Sequence, residues 1–121
     1  MRTERAKISL WCFVCAGALV GQLFAIGALP YELAEPWDKI FHGLAYASLT
    51  TLLWIATDGR WPLAVTGGLM ALGFVDELCQ GAVATRGADV TDFLANALAA
   101  GVTGFTLFYM RNKLCVESSQ R

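Results

Sequence analysis

The sequence has little charge, a single histidine and no stripe of basic residues. Of its 121 residues 16% are charged, whereas a soluble domain has about 25%. The net charge is −1, and no aromatic RNA-binding motif occurs, so the sequence predicts no nucleic-acid partner. It also offers no Gly-rich phosphate loop and no Ser/His/Asp order at usable spacing.

The cysteines do not form a recognisable metal or disulfide pattern. Cys12 and Cys15 lie three residues apart inside an apolar run, with no second Cys/His pair to complete a zinc site. The other two cysteines are Cys79 and Cys115. We therefore expect all four to be reduced packing residues rather than a disulfide framework.

Hydrophobic residues dominate what is present, at 56% of the chain. A soluble protein this small could not bury so much apolar surface, whereas a bilayer can accept it. The apolar runs are Ile8–Leu29, Lys39–Ala56, Trp61–Gln80 and Ala88–Met110. The first is long enough for the hydrocarbon core, which needs about 20 residues. Short loops between the runs predict one domain, 1–121: an all-α integral membrane bundle of four transmembrane helices in up-down order.

The ends of the chain bear on processing and orientation. Residues Arg2, Arg5 and Lys7 before an apolar run resemble a signal peptide, but a run of this length exceeds the roughly 7–15 residues of a signal core, which favours an uncleaved first span.

Seven basic residues fall on the side of the two termini and two, Lys39 and Arg86, on the other. The positive-inside rule therefore predicts that both termini are cytoplasmic. The interfacial aromatics agree with this orientation: Trp11, Trp54, Trp61 and Tyr109 inside, and Tyr31 and Trp37 outside. The tail after Met110 is polar, and we expect it to be frayed.

Polar residues concentrate at the outer ends of the last three spans. Asp38, His42 and Tyr46 are spaced i, i+4, i+8, which places them on one helical face, and Asp92 and Asn96 share a face of the fourth span. A charge inside a span costs about 2.5–3.5 kcal/mol or more unless it is paired and faces inward. We therefore predict a polar pocket between the second, third and fourth spans, open outward. Its expected binding residues are Asp38, Lys39, His42, Tyr46, Asp76, Glu77, Gln80, Arg86, Asp92 and Asn96.

A structural explanation of the same residues stays open. Lys39 could be a snorkelling anchor, Asp89 and Asp92 could cap the fourth helix, and Arg86 could neutralise Asp76 or Glu77. A single histidine among several carboxylates could instead act as a general base or help to hold a hard divalent cation. We assign no metal and no cofactor from the sequence. The candidates for catalysis, if the protein is an enzyme, are His42, Asp76 and Glu77.

Two blocks of these residues resemble a known family. Asp38-Lys39-Ile40-Phe41-His42-Gly43-Leu44-Ala45-Tyr46 is similar to the D-K-x-x-H-x-x-x-Y opening of VanZ-like membrane proteins. Asp76-Glu77-x-x-Gln80, followed by Arg86, Asp92 and Asn96, is similar to their second block. The resemblance covers about residues 37–104, and it departs from the family at Gly43 and Ala99, where Phe and Gly are usual.

The resemblance implies a multi-pass protein of the bacterial cytoplasmic membrane, in a family linked to low-level resistance to the glycopeptide teicoplanin. The implied role is binding of a membrane lipid, a lipid-linked envelope intermediate or another membrane protein. An integral-membrane enzyme is the alternative, with His42 as acid/base and with Arg86 and Lys39 holding a phosphate or carboxylate. The third possibility is a purely structural bundle, in which the polar side chains only pair with one another.

Overall fold

The structure is a computed structural model that describes residues 2–27, 34–82 and 87–120, and these ranges form four helices. Helix α1 is Arg2–Gly27, α2 is Trp37–Ala56, α3 is Pro62–Gly81 and α4 is Val90–Ser119. The prediction of an all-α fold is confirmed.

Three of the helices in the described ranges are long and apolar enough to cross a membrane: Thr3–Phe24 within α1, Pro62–Gly81 and Val90–Ser119. They indicate a membrane protein. Helix α2 is not among the three, although the sequence predicts it as a span. It carries Asp38, Lys39 and His42 near its start, and it packs against each of the other three helices. A central helix of this kind presents less of its surface to lipid and can therefore carry more polar residues.

The observed helix ends differ from the predicted ones in ways that local chemistry explains. Helix α3 begins at Pro62, in the first helical position, where the missing proline N–H has no partner to lose. Helix α4 continues to Ser119, so the expectation that the chain frays after Met110 is wrong. The segment after Met110 contains good helix formers and no glycine or proline, so nothing in it ends the helix.

The turn between α2 and α3 packs against the side chain of Trp54. Asp58 and Gly59 both have positive φ angles, 51° and 62°. A Cβ atom at Gly59 would lie 2.8 Å from the indole of Trp54, so glycine meets both a conformational and a steric need here. Trp54 is buried, which corrects its assignment as an interfacial aromatic, since its ring packs against this turn rather than facing head groups. Arg111 of α4 donates a hydrogen bond to the carbonyl of Gly59.

The core lies along the middle of the bundle and draws on every helix. Its buried apolar residues are Ala16, Leu23, Ala45, Tyr46, Leu49, Leu69 and Ala100.

At several contacts between neighbouring helices, a residue early in one helix lies against a residue late in the other. Ser9 Oγ near the start of α1 donates to the carbonyl of Ala56 at the end of α2 (2.6 Å). Thr66 early in α3 lies against Gly104, while Gly73 later in α3 lies against Asn96 early in α4.

Candidate polar binding site

Eight polar side chains from three helices are buried at one end of the bundle, and we refer to them as the polar cluster. Helix α2 contributes three of them, α3 three and α4 two. The members are Asp38, His42, Tyr46, Asp76, Glu77, Gln80, Asp92 and Asn96. Lys39, also predicted for the site, is 28% exposed at the edge of the cluster. Arg86, the remaining predicted residue, lies outside the described residues.

A hydrogen bond between His42 and Asn96 joins α2 to α4. The Nδ1 atom of His42 lies 3.2 Å from Oδ1 of Asn96. With the amide oxygen of Asn96 as the acceptor, this contact corresponds to the Nδ1-protonated tautomer of the ring. The other ring nitrogen, Nε2, then faces Oδ1 of Asp38 one helical turn earlier, at 3.7 Å. His42 is 4% exposed and Asn96 is fully buried, so this arrangement is held away from bulk solvent.

Lys39 neutralises part of the acidic charge at the rim. Its ammonium group donates a hydrogen bond to Glu35. The same Nζ atom lies 3.6 Å from Asp89 Oδ2 and 3.5 Å from Asp92 Oδ1. A lysine shared among three carboxylates gives each of them only a partial counter-charge. Lys39 is therefore more than the isolated snorkelling anchor that the sequence allowed.

Glu77 ties the end of α3 to the start of α4. One of its carboxylate oxygens accepts a hydrogen bond from the backbone N–H of Asp89. Asp89 is in turn the N-cap of α4, and its Oδ1 accepts from the backbone N–H of Thr91 at 2.8 Å and from the Thr91 hydroxyl at 2.7 Å. These two hydrogen bonds, that of the hydroxyl first, hold the pKa of Asp89 below its usual range. The capping role, which the sequence left open between two acids, belongs to Asp89, while Asp92 turns into the cluster.

Several polar atoms in the cluster have no hydrogen-bond partner among the described residues. They are the hydroxyl of Tyr46, Oε2 of Glu77, Oδ1 of Asp92 and Nδ2 of Asn96. Each is buried, and an unsatisfied buried polar group costs about 1–3 kcal/mol. Within the described ranges these atoms are thus not satisfied by the other members of the cluster.

Gly73 is a residue of this site that the sequence analysis did not single out. A Cβ atom at this position would lie 3.1 Å from Cβ of Asn96 and 3.5 Å from the ring of Tyr46. The missing side chain lets α3 approach the other two helices at the level of the cluster. A signal for it exists in the sequence, because Gly73 stands three residues before Asp76 and therefore shares its helical face.

Charge indicates what the cluster could bind. Its members include four carboxylates, from Asp38, Asp76, Glu77 and Asp92. Lys39 forms an ion pair with one of them, Asp92. Arg86, by its charge alone, would reduce this excess without cancelling it. The arrangement therefore suits a cation, or a ligand that brings one, better than a bare anion.

Three surface grooves lie elsewhere on the described chain and are mostly apolar. One, of about 410 Å³, lies between α3 and α4 and is lined by Pro62, Leu63, Thr66, Gly104, Phe105 and Phe108. The others lie along α2 near Leu44 and between Trp54 and the end of α4. None of these three is lined by a residue of the polar cluster.

The four cysteines are free, and the described residues contain no disulfide. Comparisons with protein-family models, with curated proteins and with solved structures found no match to this chain.

Proposed function

We propose that this protein binds the polar head of an envelope lipid or lipid-linked intermediate at the polar cluster. The observation that carries the proposal is the burial of eight polar side chains in a bundle in which three of the four described helices are long and apolar enough to cross a membrane. Polar groups at this depth are costly, and in membrane proteins they are usually functional.

The surface around the cluster favours an amphiphilic ligand. Phe41, Leu44, Phe74 and Leu78 are exposed on the two helices that supply most of the cluster. A lipid could place its chains against these side chains while its head group contacts the buried polar atoms.

The proposed setting is the bacterial cytoplasmic membrane, in a VanZ-like protein with four spans and cytoplasmic termini. The motif blocks of the sequence support the family, and the excess of basic residues at the termini supports the orientation. The opposite residue order at the α1–α2 and α3–α4 contacts supports the up-down path. With this orientation the polar cluster lies at the outer end of the bundle.

A second candidate function is integral-membrane catalysis, and the environment of His42 favours it. The ring is oriented by Asn96 on one side and faces Asp38 on the other. A histidine held in one tautomer beside a carboxylate is suited to general acid/base work. Of the two residues predicted to hold an anionic group of the substrate, Lys39 is less suited to this role, because its ammonium group is already shared among carboxylates.

The binding proposal is tested by native mass spectrometry of the protein extracted from bacterial membranes in mild detergent. We expect the wild type to retain an envelope lipid or lipid-linked intermediate, and Asp76→Asn, which keeps the side-chain shape, to retain at least tenfold less. Asn112→Ala, on the exposed part of α4, is the matched control and should behave as the wild type. Equal lipid retention by all three chains would contradict binding at the polar cluster, and retention of a protein partner without any lipid would contradict lipid binding itself.

The proposed link to glycopeptide resistance has its own readout. Cells expressing the wild type should tolerate a severalfold higher teicoplanin concentration than cells expressing Asp76→Asn at the same membrane level. An identical tolerance would remove that link and leave the lipid measurement to decide the binding function.

A further inference from the structure

Three members of the polar cluster form a constellation that differs chemically from the rest. Asp38, His42 and Asp92 each offer one ligand atom, and these atoms all lie within 4.8 Å of one another. All three side chains are buried. Two carboxylate oxygens and one imidazole nitrogen make a mixed donor set.

The contact with Asn96 leaves one ring nitrogen of His42 available to a metal. In the Nδ1-protonated tautomer, Nδ1–H donates a hydrogen bond to Oδ1 of Asn96, and the lone pair of Nε2 lies on the side of Asp38. Histidines that bind metals usually donate their other ring N–H to an oxygen in this way, and that bond fixes the orientation of the ring. Asn96 therefore supplies the supporting contact that a ligand histidine needs.

One of these three residues has a buried oxygen without a hydrogen bond. Oδ1 of Asp92 accepts no hydrogen bond from the described residues, and the residue is only 5% exposed. The ammonium group of Lys39 forms an ion pair with this oxygen at 3.5 Å, but it is shared with Glu35 and Asp89. Two buried carboxylates on neighbouring helices thus lack a full counter-charge, which a divalent cation would supply.

One pair of ligand atoms, in a set whose members all lie within 4.8 Å of one another, approaches the spacing that a small divalent ion requires. Two ligand atoms bound to a tetrahedral Zn²⁺ at about 2.1 Å are about 3.4 Å apart. The observed separation of His42 Nε2 and Asp38 Oδ1 is 3.7 Å, so side-chain adjustments of a few tenths of an ångström would close this pair on an ion. Imidazole favours Zn²⁺ and similar transition metals, whereas carboxylates also accept Mn²⁺ and Mg²⁺.

We infer that Asp38, His42 and Asp92 bind one divalent transition-metal cation of the Zn²⁺ or Mn²⁺ class. Three protein ligands leave at least one coordination position open, as in sites where a metal holds water or an external ligand. At this position the ion could take a phosphate oxygen of a head group, which would explain how an acidic cluster accepts a phospholipid. The metal site does not require the proposed lipid binding, because the three ligands all belong to the chain.

The test is metal binding by the full chain in detergent after chelator treatment, with Zn²⁺ and Mn²⁺ as probes and calorimetry as the readout. We expect about one ion per chain, and at least a tenfold weaker affinity in Asp38→Asn, Asp92→Asn and His42→Gln. Asp89→Asn is the matched control, because its carboxylate also contacts Lys39 but lies outside the three ligands, and its affinity should stay within about twofold of wild type. No saturable binding, or an affinity unchanged in all three ligand variants, would overturn the site.

A measurement on the wild type alone tests the metal site even if the ligand variants fail to fold. Co²⁺ bound by one nitrogen and two oxygens should give a visible d–d absorption that saturates near one equivalent and is abolished by one equivalent of Zn²⁺. Absence of this band together with absence of saturable Zn²⁺ binding would overturn the metal site. Lipid retention measured with chelator-treated protein then shows separately whether the proposed function survives without the ion.

Discussion

At the scale of single residues, the orientation of His42 depends on one amide. Asn96 is fully buried, and its oxygen holds the imidazole proton on Nδ1. The lone pair of Nε2 then faces Asp38, whichever role the ring has, as a metal ligand or as an acid/base. The account therefore assigns Asn96 a positioning role that acts through His42.

Replacing Asn96 should expose this role. We expect Asn96→Ala to lower the free energy of unfolding by about 0.5–2 kcal/mol, because it removes the acceptor of the buried imidazole N–H. Asn112→Ala, on the exposed part of the same helix, should change it by less than about 0.5 kcal/mol. Unfolding in mixed micelles, followed by circular dichroism, measures both variants. Equal stabilities of the two would show that the His42–Asn96 bond contributes nothing.

At the scale of helices, the start of α4 separates two acids that look equivalent in the sequence. Asp89 caps the helix through the backbone of Thr91, whereas Asp92 is buried beside α2. Both lie where acids favour a helix N-terminus, so charge alone could not distinguish them. The difference arises from the rotation of α4 about its axis, which packing against α2 and α3 determines.

A pair of substitutions at Asp89 tests the cap. Asp89→Ala should destabilise the protein by about 0.5–2 kcal/mol, whereas Asp89→Asn should lose little, because asparagine caps as well as aspartate does. Comparing their thermal unfolding separates capping from the ion pair with Lys39, which both substitutions remove. If the asparagine variant were as unstable as the alanine variant, charge rather than capping would be the contribution of Asp89.

The same scale shows what the sequence could and could not predict. Apolar runs and breakers located four helices, and the i, i+4 spacing of Asp38 and His42 placed both on one face. Contacts between helices were less accessible, because they depend on helix rotation and approach. The partnership of His42 with Asn96 and the close approach at Gly73 are of this kind. The helical continuation after Met110 was missed because polarity was interpreted as fraying.

At the scale of the whole molecule, the polar cluster and most of the positive charge of the described residues lie at opposite ends of the helices. Asp38 lies in the first turn of α2 and Asp92 in the first turn of α4, whereas Arg60 and Arg111 lie near the other ends of the same helices. Such a separation is what a membrane potential and the positive-inside rule select. The proposed orientation, with the cluster outward, follows from it, and a ligand of the outer leaflet could then reach the site.

Cysteine accessibility tests this orientation most directly. In a background with the four native cysteines replaced by alanine, Glu35→Cys reports on the cluster end and Ser118→Cys on the end of α4, and both positions are exposed. A membrane-impermeant maleimide applied to intact cells should label the cysteine at position 35, and the cysteine at 118 only after permeabilisation. Labelling of 118 but not 35 in intact cells would place the polar cluster on the cytoplasmic side and contradict a site for outer-leaflet ligands.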